Sequence, residues 1–217
     1  MGSYLSTDTD VAELENLLLI EGKLVPVPYK ELNKFKQEQI SMFCHKHGIY
    51  QIPTDELIIF LKNEIGSEKA IELGSGNGCI GRNLNIHMFD NHMQNWPKIS
   101  SYYQEFKQPT VKYGVDVEEM DGNAAVKLHR PKIVIACWLT QKWYPGMSSG
   151  NEFGVDERQM FSDGIEKYVH VGNEKTHGLK ELFHDRIIRH ERLKFPWLLS
   201  RSMYREKNEI YIFKNKS

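Results

Sequence analysis

The stretch Glu72-Leu73-Gly74-Ser75-Gly76-Asn77-Gly78-Cys79-Ile80-Gly81 has the residue types and spacing best suited to chemistry. Glycine at positions 74, 76 and 78 lets a backbone turn sharply and approach a ligand where a Cβ would collide. The apolar run Lys69-Ala70-Ile71-Glu72-Leu73 leads into it and reads as a strand. In an open parallel sheet, ligands bind at the carboxyl ends of strands, and a helix that follows such a turn aims free N–H groups at them. Residues 76–81 also fit G-x-G-x-x-G, the dinucleotide pattern. Glu72 counts against that reading, because a carboxylate beside a pyrophosphate repels it. A ligand carrying positive charge tolerates the same carboxylate. A glycine turn with no ligand is the remaining alternative.

The elements that must hold this turn follow from periodicity. Val11, Leu14, Leu17 and Leu18 recur at helical spacing within Thr7 to Gly22, with Asp8 or Asp10 as a cap. Tyr29 to His47 reads as a second helix ending at Gly48. Thr54 is a natural N-cap for a third, Asp55 to Ile65, with Gly66 as its stop. Further strands are expected at Ile86–Phe89, Thr110–Tyr113, Lys132–Cys137 and Tyr168–Val171. The run Ile133-Val134-Ile135-Ala136 is apolar at successive positions, as a parallel strand covered on both faces requires. Trp197–Ser200 and Glu209–Phe213 flank a polar turn and suggest a terminal antiparallel hairpin.

Glu72-x-Gly74-x-Gly76-x-Gly78 resembles motif I of the class I methyltransferases that use S-adenosylmethionine (SAM). SAM carries an ammonium and a sulfonium, which suits Glu72. The resemblance implies a three-layer α/β, Rossmann-like methyltransferase sheet, mostly parallel with a C-terminal antiparallel hairpin, plus an N-terminal helical extension. The boundaries expected are 1–49 for the extension and 50–217 for the SAM-binding domain. It also implies a set of SAM contacts in family order. Tyr50 and Thr54 cap the methionine end, with Glu72, Gly74, Gly76, Asn77 and Gly78 in the turn. Asp90 sits on the ribose hydroxyls, since a carboxylate accepts both O–H bonds. Met120 and Asp121 sit at the adenine. An Asx-turn is the plain alternative for Asp90, and an ordinary turn for Asp121.

One departure is evident. Eleven residues separate Gly78 from Asp90, against about 20 in the dinucleotide version of the fold. The first crossover helix must therefore be very short. A bacterial methyltransferase-like subgroup of unassigned substrate is similar in its compact run into Asp90-Asn91-His92-Met93-Gln94.

The acceptor is expected past the fourth strand, at Ala136-Cys137-Trp138-Leu139-Thr140-Gln141. The Asn/Asp-Pro-Pro-aromatic tetrapeptide of amino-group methyltransferases is missing there. Trp138 is a candidate to stack a planar acceptor or the adenine, with a core indole as the alternative. His170 and His177 are candidate bases, and a buried core histidine is the competing reading of His170. Gly150 to Glu157 has loop character with two glycines, either a lid over the pocket or a plain surface loop. Cys44-His45-Lys46-His47 gathers donor types, but it lacks a second half at ligand spacing and reads as a helix end. No metal is expected.

The 217 residues are 40% hydrophobic and 26% charged, which places the chain among globular proteins. A formal net charge of −1 excludes a strongly basic nucleic-acid coat. From Lys175 to Ser217, however, eleven Lys or Arg face five Asp or Glu, leaving a basic flank on an acidic body. Three scattered cysteines form no disulfide framework and fit a reducing compartment. No signal peptide or membrane-length apolar run is read, and a cytoplasmic location is expected. Met1-Gly2-Ser3-Tyr4-Leu5-Ser6 formally fits an acylation pattern that chance often produces. The expected function is methyl transfer from SAM to a small-molecule acceptor. Alternatives are a SAM-binding module without catalysis, or a nucleic-acid methyltransferase that uses the basic flank.

Overall fold

A computed structural model describes residues 9–216. The amino-terminal acylation pattern and Asp8 lie outside the described residues. Seven strands form one sheet: β1 (Ala70–Leu73), β2 (His87–Asp90), β3 (Glu118–Glu119), β4 (Ile133–Cys137), β5 (Lys167–Asn173), β6 (Ile188–Leu193) and β7 (Asn208–Asn215). Their spatial order is β3-β2-β1-β4-β5-β7-β6. The first five are parallel, with Ile71 beside Val134 and Val134 beside Tyr168. β7 runs antiparallel to both β5 and β6. This is a three-layer, Rossmann-like α/β arrangement, mostly parallel, with an antiparallel hairpin at the end.

Strand alternation divides the core. Val134 and Ala136 pack on one face with Leu73, Phe89, Tyr168 and Phe213. Ile133 and Ile135 pack on the other with Leu57, Leu61, Ile80 and Val169. Helix Asp55–Ile65 covers that second face. The Thr54 hydroxyl accepts the Leu57 N–H at 3.2 Å, and Gly66 ends the helix at φ +58°. Such a cap stabilises a helix by about 1 kcal/mol. A third cluster, including Leu14, Leu18, Phe43 and Ile52, joins the amino-terminal segment to Leu199.

Four sequence expectations are corrected. The first helix spans only Ala12–Leu18 and gives way to a ribbon, Leu19–Ile20 against Lys23–Leu24. Glu21 and Gly22 both take positive φ there, which makes the tight turn that a hairpin favours. The second helix is broken into Tyr29–Leu32 and Gln37–His47. Extended backbone at Lys36 restarts it, and the Gln39 side chain accepts the Lys36 N–H at 3.1 Å. Thr110–Tyr113 is not a strand. Its backbone turns inward, with the Val111 N–H on the Gln94 side chain at 2.8 Å, and β3 pairs the edge instead. Trp197–Ser200 is not the hairpin partner of β7. That partner is β6, whose Arg189, His190, Glu191 and Arg192 are all exposed on the sheet's edge. The Trp197–Ser200 segment instead runs beside residues 37–52, where Ser200 O accepts from the Gln37 side chain at 3.1 Å and Leu199 O accepts the Ile52 N–H at 2.9 Å. Among the described residues no helix is long and apolar enough to cross a membrane.

Candidate functional site

A cleft of about 300 Å³ opens at the carboxyl ends of β1, β2 and β4. The strand order reverses between β1 and β4, and such a reversal is where open α/β sheets take ligands. The glycine turn forms its floor. Gly74, Gly76 and Gly78 have φ of +65°, +54° and +73°, a region that side chains disfavour. The Gly76 N–H donates to Asp90 Oδ2 at 3.0 Å, and the Gly78 N–H to Ser75 O at 2.9 Å. The helix that follows is only Cys79–Leu84, as the short crossover requires.

Glu72 lies in the cleft wall and is 1% exposed. Its Oε2 accepts the Gly81 N–H at 3.0 Å. Burial pushes its carboxyl up to about 8, with the Gly81 N–H and the Ser75 hydroxyl opposing. A Cβ at position 81 would lie 2.6 Å from that oxygen, so Gly81 serves the glutamate rather than a phosphate. Asp90 uses both oxygens on backbone, Oδ2 for Gly76 and Oδ1 for His92 at 3.0 Å. It is thus an Asx-turn residue that also ties β2 to the glycine turn. Burial raises its pKa, and the two N–H groups oppose that shift. Asp121 caps helix Gly122–His129 through the Ala124 N–H at 3.0 Å and still lines the cleft beside Met120.

Of the expected cofactor residues, Tyr50, Glu72, Gly74, Gly76, Asn77, Asp90, Met120 and Asp121 are brought together on the cleft. Thr54 and Gly78 are not among the lining residues. Thr54 is consumed as a helix cap, and Gly78 turns toward Arg82 and Val117.

Trp138 lines the cleft with its backbone at φ +61°. That is a strained conformation for a bulky residue, of the kind that collects at functional sites. The Val171 carbonyl accepts its N–H at 2.8 Å, and Gln51 Oε1 accepts its indole N–H at 3.3 Å. His170 and His177 lie behind it and are not lining residues. His170 is fully buried and donates from Nε2 to Leu139 O at 2.9 Å. Burial holds its pKa well below the usual histidine range. His177 accepts the Asn173 N–H on Nδ1 at 3.1 Å, and burial pushes it down to about 3. Both are neutral histidines packed beneath the site.

Several lining residues carry no clear signal in the sequence. Gln94 is buried and acts as a hub. Its Nε2 donates to the Tyr50 hydroxyl at 3.2 Å, its Oε1 accepts the Val111 N–H, and its own N–H reaches the Tyr113 hydroxyl at 3.3 Å. Tyr103 completes the group, with its hydroxyl 2.9 Å from that of Tyr50. The loop Gln141–Val155, which contains most of the stretch read from the sequence as a lid or a plain surface loop, closes another side, with Asn151, Phe153, Gly154 and Val155 on the cleft. Bridges between Gln141 and Val155 and between Lys142 and Asn151 staple it.

Part of the basic flank is drawn into ion pairs. Arg192 meets Glu174 and Glu209, Lys207 meets Glu174, and Lys194 meets Glu209. In the Cys44–His47 cluster, Lys46 and His47 both bond Glu15. Among the described residues no group of three or more His, Cys, Asp or Glu is placed to hold a metal.

Among the described residues the cleft is lined by three carboxyl groups, those of Glu72, Asp90 and Asp121, and by no Lys, Arg or His. That donor set fits a cationic nucleoside such as SAM and does not fit a pyrophosphate.

Neither a protein-family model nor a curated protein sequence matches the chain. Among solved structures, one from Thermoplasma acidophilum is similar at 15% identity, over 87% of this chain and 95% of that one, with a TM-score of 0.34. A proposed RNA methyltransferase from Pyrococcus horikoshii is similar at 12% identity, over 85% of this chain and 100% of that one, with a TM-score of 0.35. A SAM-dependent methyltransferase from Agrobacterium tumefaciens is similar at 10% identity, over 75% and 61%, also with a TM-score of 0.35.

Proposed function

We propose that the chain is a SAM-dependent methyltransferase that acts on a small-molecule acceptor. The observation that carries this reading is the charge of the cleft. At the switch point of the sheet, a glycine turn meets three carboxylates and no cationic side chain. Glu72 is the group for the aminoacyl ammonium, since a buried carboxylate with a raised pKa gains most from a cation. Asp90 has one lone pair left on each oxygen after its two backbone bonds, enough for ribose hydroxyls. Met120 offers an apolar contact for adenine, and Asp121 an acceptor for its amino group. Trp138 and Tyr50, with ring centroids 6.0 Å apart, form the wall on the acceptor side.

Bound SAM would supply a methyl group on a positively charged sulfur, open to in-line displacement. The chain's own part is to position and to exclude water. The Gln141–Val155 loop and the Val111 segment cover the cleft, and the fixed phenols and indole limit how an acceptor can approach.

Isothermal titration with SAM and with NAD tests the cofactor. Binding of SAM without NAD is expected, and binding of NAD alone would remove the methyltransferase reading. Labelled-methyl transfer into fractionated cell extract tests the rest. Label in the small-molecule fraction is expected. Label confined to RNA or DNA would favour the polymer, and none in any fraction would favour a binding module.

A further inference from the structure

The acceptor side of the cleft differs in kind from the cofactor side. Its lining side chains include Tyr50, Gln51, Tyr103, Trp138, Thr140 and Asn151. Among the described residues, the lining carboxylates are the three at the glycine turn, β2 and the adenine segment, and no histidine lines the cleft. His170 and His177 lie behind Trp138, each with a ring nitrogen tied to backbone. The phenols are poor bases as well. Burial pushes Tyr103 and Tyr113 upward, so their protons stay on at neutral pH. With Glu72, Asp90 and Asp121 taken up by the cofactor, an acceptor that must first lose a proton finds no group here to take it.

The same side chains form a rigid aromatic wall. Gln51 holds the Trp138 indole by its N–H, and the His177 ring stands nearly perpendicular to it with centroids 5.3 Å apart. The Tyr50 ring is fixed by hydrogen bonds at its hydroxyl and by the Arg201 guanidinium, 4.3 Å from its centroid. Such walls suit a planar guest and stabilise a cation against an aromatic face.

Resting on the methyltransferase reading, we infer that the acceptor is a neutral, planar nitrogen heterocycle of the pyridine or imidazole type, methylated on a ring nitrogen that arrives with its lone pair free. The ring nitrogen attacks the methyl carbon. A nitrogen–carbon bond forms as the carbon–sulfur bond breaks, and the electrons of the broken bond go to sulfur. The sulfonium becomes a neutral thioether, and its positive charge passes to the heterocycle. No proton is released, so no base is required. The product cation is left against Trp138, in a cleft whose ionisable lining side chains include, among the described residues, three acids and no Lys, Arg or His.

The test uses the full chain. After calorimetry establishes SAM binding, labelled SAM is offered with quinoline, pyridine-3-carboxamide, catechol or benzoate. Transfer to the two heterocycles is expected, with a rate at saturating SAM that changes less than about twofold between about pH 7 and about pH 9, because no proton leaves the acceptor in the transfer step. In parallel, N-methylquinolinium is titrated into the protein with S-adenosylhomocysteine present. It should bind, and Trp138→Leu should weaken it about tenfold while leaving SAM affinity within about twofold. Trp138→Phe, the milder change, should keep most of the affinity. Transfer to catechol or benzoate in preference to the heterocycles would overturn the inference, as would no binding of the quinolinium to the wild type. In either case SAM binding would leave the methyltransferase reading standing. Absence of SAM binding would remove both.

Discussion

Glu72 and Gly81 form a matched pair: the glutamate's Oε2 takes the glycine's N–H at 3.0 Å in a space where a Cβ would stand 2.6 Å from that oxygen. The same Cβ would meet Met88 Cγ at 2.5 Å. Gly81→Ala should therefore push the carboxylate and Met88 out of place. We expect SAM affinity to fall by about ten- to a hundredfold, on the order of 1–3 kcal/mol, with the sheet intact by circular dichroism. Calorimetry checks it, and unchanged affinity would show that Glu72 holds nothing.

The raised pKa of Glu72 gives a signed pH dependence. Between an ordinary 4.5 and about 8, the folded chain keeps a proton that the unfolded chain releases. Stability is then highest below about 4.5 as far as this group is concerned, and it is lost progressively as pH rises to about 8. Glu72→Gln removes that slope, and at pH 9 it should exceed the wild type by on the order of a few kcal/mol. Denaturant midpoints at pH 5 and pH 9 measure it, with parallel slopes for the two proteins as the failing outcome. Binding of SAM near pH 7 should also release a proton, seen as a calorimetric enthalpy that varies with the buffer.

Asp90 links two tasks. Its oxygens hold the N–H groups of Gly76 and His92, so removing it loosens the glycine turn as well as any ribose contact. Asp90→Ala should weaken SAM by roughly 1–3 kcal/mol. Asp90→Asn, which retains one acceptor oxygen, should recover part of that. Equal losses for the two variants would mean that charge matters and hydrogen-bond geometry does not.

The parts of the site legible in the sequence are those that local chemistry dictates. The glycines at 74, 76 and 78 had to take positive φ, and they do. Thr54 had to cap a helix, and because it does so it is unavailable to a ligand. What escaped depends on distant partners. Val111 and Tyr113 have strand-like residue types, yet the Gln94 side chain takes the Val111 N–H and Gly76 O in the glycine turn takes that of Gly114. Gln94 itself shows no pattern, since its three partners come from residues 50, 111 and 113. β6 escaped because an edge strand carries charge where a central strand carries valine and isoleucine.

The loop over the cleft depends on one small residue. A Cβ on Gly154 would stand 2.2 Å from Gln141 O and 2.6 Å from Lys142 N, both backbone atoms that cannot swing aside. Gly154→Ala should unstaple the bridges at Gln141 and Lys142 while leaving the core unaltered. The expected result is a drop in kcat/KM of about ten- to a hundredfold, mostly in KM, with a nearly constant Tm. A variant with wild-type kinetics would mean that the loop's closure does not matter to turnover.

Beneath the same loop, Lys180 and Glu157 form an ion pair, 1% and 4% exposed, with the Tyr168 hydroxyl 3.1 Å from the shared carboxylate oxygen. Glu157 opens the helix that follows the loop, and Lys180 follows β5, so the pair joins the two through the core. Taking two charges out of water costs nearly as much as their attraction returns, whereas leaving one of them alone is far worse. Lys180→Met should therefore destabilise the protein by about 3–5 kcal/mol, by stranding a buried carboxylate. Adding Glu157→Leu to it should restore most of the loss, although Tyr168 then keeps an unpaired hydroxyl worth about 1–3 kcal/mol. Urea denaturation of the wild type, both single variants and the double variant measures the coupling. Additive losses in the double variant would show that each residue stabilises the fold independently of the other.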